Sequence, residues 1–182
     1  YKGIRFFKYL LTPMITAIAV FIVLLSIGFY GIDRYNLMIF SSLLAALVAD
    51  TLLMLEETNY LKNGIIFFMM SHLLYITAFG SNVTFKPWNI IILVIICFIN
   101  FFLIRAMKKH AGGMLIPVSL YVLMIDIMGY LALTKLNNGA GQYEVALASA
   151  AVLFWISDLI LSINTFVKKV PHSTVYTWLF YA

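Results

Sequence analysis

Residues 88–105 read WNIIILVIICFINFFLIR, and this run has no charged residue before Arg105. A helix of this length rises about 1.5 Å per residue and so spans roughly 27 Å, close to the hydrocarbon thickness of a bilayer. The run does not alternate strictly between apolar and polar residues, so a helix is favoured over a membrane β-strand. It therefore predicts a transmembrane helix.

The rest of the chain has the same character. Hydrophobic residues make up 64% of the 182 residues and charged residues only 10%, whereas a soluble domain is about half apolar and about a quarter charged. We therefore expect an all-α, polytopic transmembrane helical bundle that forms a single domain over residues 1–182. Apolar stretches predict six spans and the start of a seventh near residue 173, with the six at 13–31, 35–55, 64–81, 88–105, 114–135 and 144–166.

Basic residues are distributed unequally between alternate connectors. Nine lie on one side of the predicted membrane (Lys2, Arg5, Lys8, Lys62, Arg105, Lys108, Lys109, Lys168 and Lys169), and three lie on the other (Arg34, Lys86 and Lys135). The positive-inside rule predicts that the richer side, which includes Tyr1, faces the cytosol. Topology thus accounts for the net charge of +5, and we expect membrane lipid rather than nucleic acid as the partner.

Away from the span ends, four acidic or histidine residues lie inside the predicted spans: Asp50, His72, Asp126 and Asp158. A charged side chain at mid-membrane costs at least about 2.5 kcal/mol on insertion scales, so each needs compensation. Helical rise places Asp50, His72 and Asp158 roughly 8–12 Å from the cytosolic ends of their spans, and Asp126 nearer the midplane. The first three therefore share one predicted layer.

Hydroxyl groups accompany these residues. Ser71 and Tyr75 are i,i+4 neighbours on either side of His72, while Ser157 adjoins Asp158. A polar pocket within the bundle explains this clustering. The alternative is that the carboxylates and hydroxyls are hydrogen-bonded contacts between helices, with no chemical role.

Three segments resemble the YhhN-type lysoplasmalogenase family of membrane proteins. The first is LVADTLLML at 47–55, which is similar to the family's Gly-Asp-x-x-Leu segment. The third is FWISD at 154–158, which resembles its Phe-x-x-Ser-Asp motif. Between them, the family's spaced pattern of glycine, aromatic residues and histidine is matched by Gly64, Phe68, His72, Tyr75 and Phe79.

The chain departs from the family pattern at three positions. Ala49 replaces a glycine, Thr12 stands where lysine is usual, and Ser162 stands where alanine is common. None of these changes removes an ionisable group of the predicted pocket. Because the family has eight spans, the resemblance implies that a first helix before residue 1 and most of the last helix after residue 182 are absent here.

The resemblance implies hydrolysis of a lysoplasmalogen, a single-chain phospholipid with a vinyl ether, to a fatty aldehyde and a glycerophospho-alcohol. Such a reaction needs a general acid and a base or anionic stabiliser. We expect Asp50 and Asp158 to share these roles and His72 to orient water or substrate. The remaining site residues, which we expect to contact the lysophospholipid, are Ser71, Tyr75, Asp126 and Ser157.

Two other functions fit part of this pattern. A zinc hydrolase usually needs three ligands rich in His or Cys, but only His72 lies at pocket depth, so we expect neither a metal nor another cofactor. A proton-coupled transporter or carrier also uses intramembrane Asp and His, although no inverted repeat or paired broken helices are evident. The short connectors favour a bacterial cytoplasmic membrane, or the endoplasmic reticulum in a eukaryotic source. The sequence does not specify an oligomeric state.

Overall fold

The computed structural model describes residues 2–54, 60–139 and 141–181, with side chains undescribed at 2–12, 54, 174 and 178. Within these ranges the chain forms helices and turns and no strand, which confirms the all-α prediction. Short 3-10 turns at Gly112–Met114 and Lys135–Asn138 flank the fifth helix. The helices are α1 (Lys2–Tyr30), α2 (Arg34–Met54), α3 (Leu61–Phe79), α4 (Trp88–Met107), α5 (Leu115–Thr134), α6 (Gln142–Phe166) and α7 (Ser173–Tyr181).

Six of these helices, α1 to α6, are long and apolar enough to cross a membrane. The six predicted spans are therefore confirmed, and α7 begins at Ser173, where a further segment was expected to open. Large side chains on α4, such as Ile90 and Phe98, are each 64% exposed. Such a surface is stable in contact with lipid tails but not with water. The protein is an integral multi-pass membrane protein.

Some boundaries differ from the predicted spans. Helix α1 begins at Lys2 rather than at 13, and α3 begins at Leu61 rather than at 64. Backbone hydrogen bonding continues a helix through polar residues, whereas an apolar-run criterion stops at them. The predicted span end at Leu55 and the sidedness of Tyr1 fall outside the described residues. The single domain stays a prediction.

The chain divides into two compact units, the first ending at Ala78 and the second beginning at Phe79. In the first unit, α1 packs along α2, and α3 approaches α2 closely at Gly64. A Cβ atom on Gly64 would lie 2.6 Å from Leu53 Cδ2 and 3.5 Å from the Ala49 carbonyl oxygen. Small residues commonly allow such close approach between membrane helices. The contact lies directly beside Asp50.

In the second unit, α6 packs against both α5 and α7, and α4 packs against α5. Hydrogen bonds join the turn after α5 to the segment that precedes α4 and to the first turn of α4. Asn137 Nδ2 donates to the Thr84 carbonyl oxygen at 2.5 Å and to Asn89 Oδ1 at 2.8 Å. Lys135 Nζ donates to the Ser81 carbonyl oxygen. These bonds replace solvation of the backbone carbonyls at this end of the unit.

Candidate functional site

Asp50 lies on α2 in the first unit and is 4% exposed. The Thr16 hydroxyl on α1 donates a hydrogen bond of 2.5 Å to its Oδ2 atom. A polar group from a neighbouring helix therefore compensates part of the cost of burying this carboxyl.

His72 on α3 is 1% exposed, and its Nδ1 atom lies 2.5 Å from the Phe68 carbonyl oxygen one turn earlier. A carbonyl oxygen only accepts hydrogen bonds, so Nδ1 carries the hydrogen in this contact. In the neutral imidazole, Nε2 then holds the lone pair. The helix thus presets the tautomer in which Nε2 accepts a hydrogen bond or a proton.

The two hydroxyl residues predicted beside His72 have different surroundings. Ser71 is 1% exposed, and its Oγ atom has no hydrogen-bond partner among the described residues. Tyr75 is half-buried and hydrogen-bonds to Ser42 on α2. The Ser42 hydroxyl also donates to the Ile39 carbonyl oxygen at 2.8 Å. Tyr75 therefore joins α3 to α2.

Asp158 lies on α6 in the second unit and is 7% exposed. The phenolic hydroxyl of Tyr121 on α5 donates a hydrogen bond of 2.5 Å to Asp158 Oδ2. The arrangement parallels that of Asp50 in the first unit, because each buried carboxyl accepts from a hydroxyl on an adjacent helix.

Asp126 on α5 has another kind of environment. Asn100 Nδ2 on α4 donates to its Oδ2 atom at 2.5 Å, and Trp155 Nε1 on α6 donates to its Oδ1 atom at 2.7 Å. Each carboxylate oxygen therefore accepts a hydrogen bond that links α5 to a neighbouring helix. These bonds favour the alternative that the sequence left open, a contact between helices.

The three carboxyls differ in the type of group that donates a hydrogen bond to them. A hydroxyl both donates and accepts, so Thr16 and Tyr121 can hydrogen-bond either an ionised or a protonated carboxyl. Amide and indole N–H groups only donate, and each requires an acceptor oxygen on Asp126. Asp50 and Asp158 therefore have partners that tolerate gain and loss of a proton.

Ser157, also expected in the pocket, contributes to helix packing. Its hydroxyl donates to the Thr177 carbonyl oxygen on α7 at 3.0 Å. The oxygen of Ser157 still has lone-pair capacity to accept another hydrogen bond.

A small cleft opens beside Asp158 between α4, α5 and α6. Its volume is about 10 Å³, which is about the space that one water molecule requires. The cleft lining combines polar and apolar side chains, among them Asn100, Leu103, Trp155, Asp158, Leu159 and Ser162. Within each unit, the described residues contain no group of three His, Cys, Asp or Glu side chains able to hold a metal ion.

Sequence reasoning found the buried carboxyls but missed their partners. Thr16 and Tyr121 are ordinary polar residues in apolar helices, and hydropathy does not reveal which helix face they occupy. The available signal was the presence of a hydroxyl within a span, where an unpartnered polar group is costly. The shared layer of Asp50, His72 and Asp158 stays a prediction.

A model of the YhhN family matches residues 4–182 of the chain. The chain belongs to the YhhN family. This membership confirms the family that the three sequence segments indicated.

Curated relatives of this YhhN protein align over a shorter range. Lysoplasmalogenase TMEM86A of Homo sapiens is 27% identical over 140 residues, which cover 74% of this chain and 56% of that protein. Lysoplasmalogenase TMEM86A of Bos taurus is 26% identical over the same coverage. The alignment thus spans about half the length of these relatives. No solved structure matches the chain.

Proposed function

We propose that this YhhN protein is a lysoplasmalogenase-like membrane hydrolase that cleaves the vinyl ether bond of a lysoplasmalogen to a fatty aldehyde and a glycerophospho-alcohol. The relatives named lysoplasmalogenase support the substrate class. The observation that carries the proposal is the pair of buried aspartates, Asp50 and Asp158, each hydrogen-bonded to a hydroxyl that suits both protonation states.

The chemistry of a vinyl ether calls for such groups. Proton transfer to the outer alkene carbon forms a C–H bond from the π electrons and leaves an oxocarbenium ion. Water then adds to the charged carbon, and the resulting hemiacetal separates into aldehyde and alcohol. A general acid serves the first step and a general base the second, and each contributes typically about 10²–10⁴-fold to the rate.

Asp50 and Asp158 share the acid and base roles in this proposal, which requires each carboxyl to reach the bound substrate. His72 orients substrate or water through Nε2, since Nδ1 is engaged by the Phe68 carbonyl oxygen. The proposed hydrogen-bond donor to substrate is Ser71, because its buried hydroxyl has no partner among the described residues.

Three further residues have secondary roles. Tyr75 and Ser157 each have a helix-packing bond, and each keeps an oxygen that can accept from a substrate hydroxyl. Asp126 stabilises the frame of the second unit, because both of its oxygens accept from other helices.

The direct test is aldehyde release by the purified full-length protein in detergent with a vinyl-ether lysolipid. The matched control substrate is the saturated alkyl-ether lysolipid, which has no alkene carbon to protonate. We expect aldehyde from the first and none from the second. A carrier would release none from either, and that result would refute the hydrolase proposal.

We also propose a membrane orientation. The connector that carries Lys108 and Lys109 faces the cytosol, as does the one with Lys168 and Lys169. The membrane is the bacterial cytoplasmic membrane, or the endoplasmic reticulum in a eukaryotic source. A lysolipid entering from the cytosolic leaflet would keep its polar head group near these bases.

A further inference from the structure

The cleft beside Asp158 is lined by both polar and apolar side chains. Asp158 and Ser162 are i,i+4 neighbours on α6, so their side chains lie on one helix face, and both line the cleft. Ser162 is 5% exposed, and no hydrogen bond joins its hydroxyl to another residue in the described part of the chain. Leu103 and Leu159 are among the apolar lining residues.

The size and the polar groups of the cleft match a single ligand. A volume of about 10 Å³ is about the space that one water molecule requires. A buried water needs two or more polar partners, and the Asp158 carboxyl and the Ser162 hydroxyl supply an acceptor and a group that both donates and accepts.

Two further lining residues are held in place by Asp126. Asn100 and Trp155 both line the cleft, and both donate hydrogen bonds to that carboxylate. Packed side chains that are also hydrogen-bonded keep a cavity at constant size. Asp126 therefore acts on the cleft through its neighbours, as a positioning residue.

We propose that this cleft is the water-binding subsite of the hydrolase, in which Asp158 is the base that activates the water and Ser162 holds it. The inference rests on the proposed vinyl ether hydrolysis and adds the division of labour between the aspartates. Asp50 is then the acid that protonates the alkene carbon. Tyr121, which hydrogen-bonds Asp158, is a positioning residue for the base.

The proton balance of the cycle closes under this assignment. Asp50 gives its proton to the outer alkene carbon and becomes a carboxylate, while the ether oxygen stabilises the oxocarbenium ion. The water oxygen bonds to that carbon as Asp158 takes one of its protons. In hemiacetal breakdown, Asp158 returns this proton to the departing glycerol oxygen, and the hemiacetal hydroxyl proton passes to Asp50. One water is consumed and both aspartates recover their starting states.

The test uses competition between water and methanol for the oxocarbenium ion. Capture by water yields aldehyde, whereas capture by methanol yields a mixed methyl acetal of the lysolipid, which mass spectrometry distinguishes. The ratio of acetal to aldehyde reports on the nucleophile's subsite and is independent of the rate of the earlier protonation. A cleft with room for about one water molecule favours water over the larger methanol, so the wild-type protein should yield mainly aldehyde.

Two variants enlarge the subsite, and one is a matched control. Leu159→Ala removes an isopropyl group from the cleft wall, and Ser162→Ala removes the hydroxyl that holds the water. Leu161→Ala makes the same change as Leu159→Ala at a position on α6 that is 38% exposed and does not line the cleft. We expect the acetal fraction to rise at least about tenfold in the first two variants, equivalent to about 1.4 kcal/mol, and to be unchanged in the third.

The possible failures are distinguishable. Aldehyde release with the same acetal fraction in all four proteins would overturn the water subsite and leave the hydrolase proposal standing. A high acetal fraction in the wild-type protein would also overturn the subsite, because its nucleophile would then be bulk solvent. If the wild-type protein releases neither product, both proposals fail together.

Discussion

The Tyr121 hydroxyl on α5 and the Asp158 carboxyl on α6 form a 2.5 Å hydrogen bond within the second unit. Thr16 and Asp50 form a hydrogen bond of the same length between α1 and α2 in the first. In each pair, an alcohol or phenol rather than an N–H group contacts the carboxyl. Such a partner can reverse its donor role, so the hydrogen bond survives a change of protonation.

Tyr121→Phe should slow turnover while leaving substrate affinity near the wild-type value. Hydrogen bonds to charged groups contribute about 1.5–3 kcal/mol, so loss of this one should lower kcat by about 10- to 100-fold. Tyr130→Phe removes a hydroxyl from the same helix, at a residue whose ring stacks on Phe85, and should retain activity. A rise in KM with unchanged kcat would contradict a positioning role.

Asp50→Asn and Asp158→Asn should each retain the fold and lose at least about 10²-fold in aldehyde release, because an amide does not transfer a proton in these steps. The control is Asp33→Asn in the turn before α2. There Asp33 Oδ1 accepts from the Asn36 backbone N–H at 2.6 Å at an exposed site. Retention of more than about a tenth of the activity in either site variant would exclude direct proton transfer by that residue.

Gly64→Ala should destabilise the first unit, since the added Cβ would lie 2.6 Å from Leu53 Cδ2. Overpacking of this kind costs typically about 1–3 kcal/mol. In a Leu53→Ala background the clash is removed, so Gly64→Ala should then have little effect. Gly129→Ala on α5 meets no atom within 4 Å and is the control. Thermal unfolding in detergent measures all four variants, and equal shifts for Gly64→Ala and Gly129→Ala would contradict the close approach.

Asn137→Ala should lower the thermal stability of the second unit. The change removes hydrogen bonds to Thr84 and Asn89, at a cost of about 0.5–1.5 kcal/mol for each bond. Asn138→Ala is the matched control, because it removes a single bond, to the Asn82 carbonyl oxygen, at an exposed position. Unfolding midpoints in detergent should fall further for Asn137→Ala than for Asn138→Ala, and the reverse order would refute the assigned role of Asn137.

The proposed orientation predicts opposite labelling of two connectors. Lys86 and Lys109 are both exposed and lie at opposite ends of α4. With the protein expressed in a bacterial cytoplasmic membrane and Cys97 replaced by Ala, a membrane-impermeant thiol reagent added outside intact cells should label Lys86→Cys. Lys109→Cys should react only after the cells are permeabilised. Labelling of Lys109→Cys in intact cells would reverse the orientation.

The sequence was sufficient for the helices and for the ionisable residues. Long apolar runs predict membrane helices because lipid leaves backbone N–H and C=O groups no other partner. Asp50, His72 and Asp158 were recognised because an ionisable side chain within a membrane span is costly to bury and is therefore rare unless it has a function. Helix ends were less accurate, as at α3, because polar residues at the ends of a span still form helical hydrogen bonds.

What the tertiary structure alone decided is which side chains touch. The Tyr121 hydroxyl donates a hydrogen bond to Asp158. Asn100 and Trp155 both donate to Asp126. The absence of a side chain at Gly64 allows α3 to approach α2 closely. These contacts depend on the rotation of each helix about its axis. In a soluble protein, apolar periodicity reveals that rotation, but in a membrane the lipid-facing and the buried sides of a helix are both apolar. The partners of the buried polar groups therefore emerge only when the helices are packed together.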